Sequence, residues 1–403
     1  MRQTLVLFTI FLFTLSFGLI AQQQTADGGY IIAGGSNTYS NGSTDFLVYK
    51  LDAVGAKQWR KNFGGEYYDN AVQIQQTADG GYIVAGLSGS YGPAPGFNCD
   101  FLIYKLAANG AKQWRKNFGG YYCDHSYGVI QTSDGGYLVV GDTWNYVHGT
   151  PDEDCDFLAY KLDASGAKQW RKNYGGTECD YGLRAAQTSD GGYIFIGYSE
   201  SYTNGENDFL VYKVDAAGAK QWRKNFGGME SDYGLFVIQT SDGGYVLCGA
   251  TESYIHEPAV YKGGVATRDI LVYRLDAAGT KLWRKNYGGE DYDEGYDIHQ
   301  TADGGYVFCG YSQSYTHGST DMIVYRVNAA GQKQWRKNYG GTLSDEGKYI
   351  APSSDGGFLL FGHGHSYTNG GNDFLVYKIN AAGAKQWRKN YGGGDGEFVY
   401  VWD

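Results

Sequence analysis

Residues 76–117 read QTADGGYIVAGLSGSYGPAPGFNCDFLIYKLAANGAKQWRKN, and FGGYYCD carries the chain on to Asp124. The same sentence returns along nearly the whole chain. Its D-G-G turn begins at Asp27, Asp79, Asp134, Asp190, Asp242, Asp303 and Asp355. Its W-R-K-N block begins at Trp59, Trp114, Trp170, Trp222, Trp283, Trp335 and Trp387. Copies are spaced by 52 to 61 residues. A period near 50 with β-type composition signifies a propeller or an array of repeats.

Within one copy four runs read as strands, here lettered A to D. In the copy quoted, A spans Ala71 to Gln75, B Tyr82 to Gly86, C Asp100 to Leu106 and D Lys112 to Asn117. D-G-G joins A to B and A-x-G joins C to D. Both are hairpin signals, because glycine accepts the positive φ that tight turns need. Four strands in about 52 residues make one antiparallel blade. The chain has 63 Gly, 38 Tyr and 5 Pro among its 403 residues. That mixture suits short strands and tight turns in one radial body, not two or three separate domains.

The ends point to a closed ring. Met1 to Ala21 reads as a secretory leader, with Arg2, an apolar run from Leu5 to Ile20, and Ala21 as cleavage residue. The remainder, 22–403, then enters at strand B with no strand A of its own. Beyond the last strand D, Glu397-Phe398-Val399-Tyr400-Val401-Trp402 aligns with strand A of the other copies. The expected fold is therefore all-β: a seven-bladed β-propeller of four-stranded antiparallel blades, closed by the C-terminal strand pairing with the N-terminal blade. Closure removes the end faces that an open stack must cap.

The pattern W-R-K-N-Y-G-G-x-x-x-D with Q-T-x-D-G-G-Y resembles the β-propeller repeat proteins exported by bacteria, especially Bacteroidota. That resemblance implies fold and export, with a secreted, periplasmic or cell-surface location, more than any chemistry. Leu162 to Trp170, LDASGAKQW, is similar to the tryptophan-docking repeat of quinoprotein propellers. Those enzymes have a larger ring, a metal and often adjacent cysteines. No Cys-Cys pair occurs here, so the quinone activity does not carry over.

Function must come from what differs between copies. The A–B and C–D turns lie on one face and hardly vary. Insertions fall in the B–C loops, at Gly92 to Asn98, Val147 to Asp154 and Ile255 to Arg268, on the face shared with the D–A crossings. Length variation on one face is how repeat scaffolds build a binding surface. Each B–C loop holds a tyrosine: Tyr39, Tyr91, Tyr146, Tyr202, Tyr254, Tyr315 and Tyr367. Rings flanked by Asn and Asp suit carbohydrate, with the ring on C–H faces and the polar groups on hydroxyls. The plainer reading is packing between blades beside an Asn-Gly turn.

Acids recur on this face. One set opens strand A: Asp69, Asp124, Asp180, Asp232, Asp293, Asp345 and Glu397. A second opens strand C: Asp45, Asp100, Asp156, Asp208, Asp269, Asp321 and Asp373. The resemblance to propeller proteins implies that strand A is innermost, so the first set is expected to ring the channel mouth. Such acids either cap turns by accepting backbone N–H bonds or attract a cation or a basic partner. No D-x-D-x-D-G calcium loop accompanies them. Formal net charge is -10, which argues against nucleic acid and anionic membranes as partners. No second segment has the length of a membrane span. Strand D carries Lys, Arg and Lys in every copy, as an outer edge should to deter pairing. Its tryptophans are expected to fill the space between blades.

Six cysteines are present. Cys99 and Cys123 stand just before the strand C and strand A acids, and Cys155 and Cys179 repeat the arrangement one copy later. Both pairs are expected as disulfides, each contributing roughly 3 kcal/mol by loop closure. Cys248 and Cys309 read as buried thiols. His363-Gly364-His365 offers two metal ligands with no third placed by spacing. There is no H-E-x-x-H, G-x-S-x-G or Walker loop. Two carboxylates suffice for glycoside hydrolysis, but a catalytic pair should break the repeat. Asp142, Glu257 and Asp297 do so without any link between them. The sequence thus reads as a monomeric, non-catalytic binding or scaffold propeller without cofactor or metal. Its ligand on the loop face is a glycan or, alternatively, a protein; polysaccharide hydrolysis or lysis by channel-mouth acids is the third reading.

Overall fold

The computed structural model describes residues 22–92, 95–96, 99–148, 154–255, 267–368, 371–394 and 397–398. The expected leader, Glu257 and most of the longest B–C insertion lie outside these residues. The described chain forms seven antiparallel sheets in the order A-B-C-D, a seven-bladed β-propeller. In the second blade the strands are Asp69–Gln76, Tyr82–Ser88, Asp100–Leu106 and Lys112–Phe118. Strands B and C are buried along their whole length, whereas strand D is largely exposed. Its Lys and Arg side chains therefore protect an unpaired outer edge.

The closing blade corrects one expectation. Its strand A is split between the two ends of the described chain. Glu397–Phe398 pairs with Ser36 and Gly35 of strand B, in the register that Asp69 and Asn70 take with Ser88 and Leu87. Gln22–Gln24 pairs with Ile32 to Tyr30, the register of Ile74–Gln76. Val399 to Trp402, the rest of the expected closing strand, lie outside the described residues.

Three contacts repeat from blade to blade. Trp59 packs edge-on against Tyr82 of the next blade, with ring centroids 5.9 Å apart, and Trp114 meets Tyr137 the same way at 5.7 Å. Gly110 in the next A-x-G turn has φ +77°, and a Cβ there would sit 3.1 Å from the Trp59 ring. Positive φ and the close approach together require glycine. The second contact latches neighbouring blades. Gln76 Oε1 accepts the Ala26 N–H at 2.8 Å, and Gln131, Gln187, Gln239, Gln300 and Gln24 do the same for Ala78, Ser133, Ser189, Ser241 and Ser354. Pro352 holds the corresponding place in the seventh blade.

The third contact was not foreseen from the sequence. Lys105 of strand C is buried and pairs with Asp79 of the D-G-G turn at 2.9 Å. The same pair recurs as Lys50–Asp27, Lys161–Asp134, Lys213–Asp190, Arg274–Asp242, Arg326–Asp303 and Lys378–Asp355. Partial burial works against the charged Asp79. Hydrogen bonds from Thr77, Lys105 and the Gly81 amide outweigh it and hold the carboxyl down at about 2. The D-G-G motif is thus an ion-pair anchor as well as a turn.

Candidate functional site at the channel mouth

The repeated residues proposed as ligands are committed to the scaffold. Tyr202 donates its hydroxyl to the Gly175 carbonyl of the preceding blade at 2.7 Å, and Tyr91, Tyr254, Tyr315 and Tyr367 reach Gly64, Gly227, Gly288 and Gly340 likewise. Tyr39 and Tyr146 make longer contacts of 3.4 Å to Gly392 and Gly119. Each ring is covered by the strand D arginine of its own blade. Arg223 lies 3.4 Å from the Tyr202 centroid, and Arg60, Arg115, Arg171, Arg284, Arg336 and Arg388 repeat the stack. These tyrosines pack between blades, with one face and the hydroxyl occupied.

The acids opening strand A behave similarly. Asp69, Asp124, Asp180, Asp232, Asp293 and Asp345 are fully buried. Asp293 Oδ2 accepts from the Gly289 amide at 2.8 Å and from Ser314 Oγ at 2.6 Å. Asp180 accepts from Gly176 and Ser201 at 2.6 and 2.8 Å. Glu397 takes the matching backbone position. The acids opening strand C lie beside them: Asp45, Asp100, Asp156, Asp208, Asp269, Asp321 and Asp373 are buried too. A Cβ on Gly64 would meet Asp45 Oδ1 at 2.1 Å and Asp69 Oδ2 at 2.9 Å, which is why the crossing reads G-G. Burial pushes Asp180, Asp232 and Asp293 up to about 6, and Asp100 and Asp124 to about 7.

What breaks the repeat lies inside. Each complete strand A carries a β-bulge, placing one unpaired residue at Val72, Tyr127, Leu183, Leu235, Tyr296 and Lys348. A bulge re-aims a side chain, and these six line a central cavity together with Arg184 and Tyr349. Arg184 donates to Tyr349 Oη at 2.8 Å, and Tyr349 donates across the channel to the Val72 carbonyl at 3.1 Å. Three blades are so joined through the axis. Asp297, one of the unlinked acids, is buried below and accepts the Ile350 amide at 2.9 Å.

Above this plug, one residue after each buried acid, sits a ring of pairs that differ in every blade. They are Asn70 opposite Leu87, His125 opposite Asp142, and Tyr181 opposite Tyr198. The ring continues with Tyr233 opposite Ala250, Glu294 opposite Tyr311, and Glu346 opposite His363. Part of it forms an aromatic arc. Tyr181 stacks on Tyr198 at 4.5 Å, and Tyr198 meets Tyr233 edge-on at 5.0 Å. Arg268 lies 4.5 Å from the Tyr233 centroid and 5.1 Å from that of Tyr292. Tyr292 stacks on Tyr311 at 5.8 Å, and both donate to Glu294 Oε2. Arg268 also holds Glu252 at 2.7 Å. Beyond the arc, Glu346 receives Lys348 at 3.1 Å and faces His363 Nε2 at 3.5 Å. Burial lowers His363 to about 4, leaving it neutral. Tyr181, Tyr198, Tyr233 and Tyr292 remain half-exposed. On the same face, the D–A crossings hold out Tyr67, Tyr121, Met229 and Leu343, with Tyr121 70% and Met229 73% exposed.

The arc was legible only as variation in x of G-G-x-x-x-D-x, a signal diluted by the repeated acid beside it. The bulge that turns Tyr127, Tyr296 and Lys348 inward has no sequence mark.

The cysteine pairs diverge. Cys155 and Cys179 are joined, whereas Cys99 and Cys123 are free thiols. Cys248 and Cys309 are buried free thiols, as expected. His363 faces Glu346, and His365, although exposed, is near enough to act on the charge of both.

Comparison with known proteins agrees on architecture. A family model described as "Domain of unknown function (DUF5122) beta-propeller" matches residues 25–57. No curated protein matches the chain. Among solved structures, the Neurospora crassa Pan2 WD40 domain is similar with TM-score 0.52 and 12% identity, over 85% of this chain and 86% of that one. Puromycin hydrolase is similar with TM-score 0.54 and 10% identity, over 94% of this chain. The chain spans about half the length of that enzyme, 54%. Identities this low show the fold alone.

Proposed function

We propose that the chain is an exported, non-catalytic binding module whose ligand, a carbohydrate, seats at the channel mouth. The observation behind this reading is the half-exposed arc of Tyr181, Tyr198, Tyr233 and Tyr292, set among polar groups at the one level where every blade differs. Tyrosine rings offer flat apolar area at low entropic cost, and the flanking Arg268 and Glu346 supply directional bonds to hydroxyls. The B–C tyrosines, first candidates by sequence, act as struts between neighbouring blades. The Cys155–Cys179 bond supports an oxidising compartment.

A glycan array probed with the purified chain tests this. Binding should fall at least tenfold in Tyr233→Ala and survive in Tyr202→Phe. Absence of any glycan ligand, or equal loss in both variants, refutes it. A protein partner is the second reading, for which Tyr67, Tyr121, Met229 and Leu343, exposed on separate D–A crossings of the same face, are the candidate contacts. It expects Tyr121→Ser with Met229→Ser to abolish capture of a partner while glycan binding persists. Hydrolysis by the repeated acids gains no support, because the described ones are buried and most accept hydrogen bonds from the crossings, the loops or the strand D asparagines.

A further inference from the structure

Cys99 and Cys123 occupy the same positions in their copy as Cys155 and Cys179 in the next, so the second pair serves as an internal reference. That pair is bonded and buried, with exposures of 0% and 7%. Cys99 and Cys123 are unbonded and half-exposed, and the Cys99 amide donates to Cys123 Sγ at 3.4 Å. What also differs is the next residue inward. Beside the bonded pair it is Tyr181, stacked on Tyr198. Beside the open pair it is His125, directly opposite Asp142. A ring nitrogen of His125 and both sulfurs lie within 4.8 Å of one another. His125 Nδ1 is held at 3.1 Å by the buried Asp142. Sulfur, imidazole and carboxylate thus stand in a row found in no other described blade.

We infer that Cys99 and Cys123 form a thiol–disulfide exchange site, with Cys123 as the nucleophile, His125 as its imidazole partner and a low-molecular-weight disulfide as substrate. The Cys123 thiolate attacks one sulfur of RS–SR. A Cys123–S–SR bond forms, the RS–SR bond breaks, and RS⁻ leaves to take up the proton that Cys123 gave to His125. Cys99 then passes its proton to His125, which the first RS⁻ has left neutral, attacks the Cys123 sulfur and displaces the second RS⁻, which takes that proton up. The sum is two protein thiols plus RSSR giving one protein disulfide plus two RSH. Reduction by excess thiol runs the same steps backward. The thiolate is the reacting form. Hydrogen bonds from Cys99 and His125, opposed by burial, draw the Cys123 thiol well below its ordinary value. Asp142 overcomes the burial that disfavours a charged His125 and raises it. Stabilising the thiolate stabilises the open form, which makes a disulfide easier to reduce. Cys155 and Cys179 lack that neighbour.

The full chain, equilibrated in graded glutathione redox buffers, trapped by alkylation and mapped as peptides, decides the matter. Cys99–Cys123 should open at a thiol-to-disulfide ratio at least about tenfold lower than Cys155–Cys179 requires. Cys99→Ser should trap glutathione on Cys123. His125→Tyr with Asp142→Tyr, which copies Tyr181 and Tyr198 of the next blade, should bring the two pairs together. Opening of both pairs at one ratio overturns the proposal. So does failure of Cys99 and Cys123 to join in oxidising buffer, or a bound zinc ion that blocks both sulfurs.

Discussion

The rim and the mouth of this propeller are made from the same seven copies and obey opposite rules. At the rim, Trp, Arg and the loop Tyr repeat without exception, and each does one job: Trp114 on Tyr137, Arg115 on Tyr91. At the mouth no two complete pairs are alike, and His125–Asp142, Tyr181–Tyr198 and Glu346–His363 meet different needs. Repetition is affordable where a side chain touches only its own copy or the next. It fails on the axis, where residues from several blades share one space. Six copies of Arg184 could not all reach Tyr349. Convergence therefore forces divergence, and divergence is where a ligand can be read.

The largest effect should come from the buried layer that separates the two regions. Asp293→Ala leaves the Gly289 amide and Ser314 without their acceptor and should cost about 2–4 kcal/mol, measured by urea unfolding. A loss below 0.5 kcal/mol would mean the acids are not structural, and the contrast between rim and mouth would break.

Acidity should sharpen it next. Asp180, Asp232 and Asp293 have folded pKa values raised to about 6, and Asp100 and Asp124 to about 7. Between about pH 4 and pH 7 the folded state then holds more protons than the unfolded chain, so stability falls as pH rises through that window. The turn acids Asp27, Asp79, Asp134, Asp190, Asp303 and Asp355 sit at about 2. Their contribution is complete above the unfolded value near 4 and is lost as pH falls toward 2. Melting temperature should therefore peak near pH 4. A plateau from pH 5 to 8 would contradict the buried-acid account.

A smaller test lies at the rim. Tyr202→Phe removes the bond to the Gly175 carbonyl and should cost about 1 kcal/mol by thermal unfolding. A larger loss in ligand binding than in stability would return the loop tyrosines to the binding role. The smallest effect is a gain: Pro352→Gln should restore the missing latch for up to about 1 kcal/mol.

Much of the fold was readable because it is local and repeated. D-G-G and A-x-G turns, the Lys-x-Trp-x-Lys edge and the spacing of copies each follow from one or two residues. The site was readable only in part. Asp142 and Asp297 stood out as breaks in the repeat, but their partners His125 and Ile350 lie on other strands or other blades. The buried Lys105 was invisible because its mate, Asp79, looked fully explained by the turn. The split strand of the first blade was half seen, since Gln22–Gln24 is too short to read as a strand alone.

Pro352 also has a consequence for motion. Six boundaries between blades are fastened by a glutamine that caps the neighbouring turn, and the one between the sixth and seventh blades is not. Ala302 there has no side-chain cap on its amide among the described residues, unlike Ala78 or Ser189. Its proton should trade with deuterated solvent sooner than those six counterparts. The circle thus has a built-in seam, and this is where it should first part when warmed.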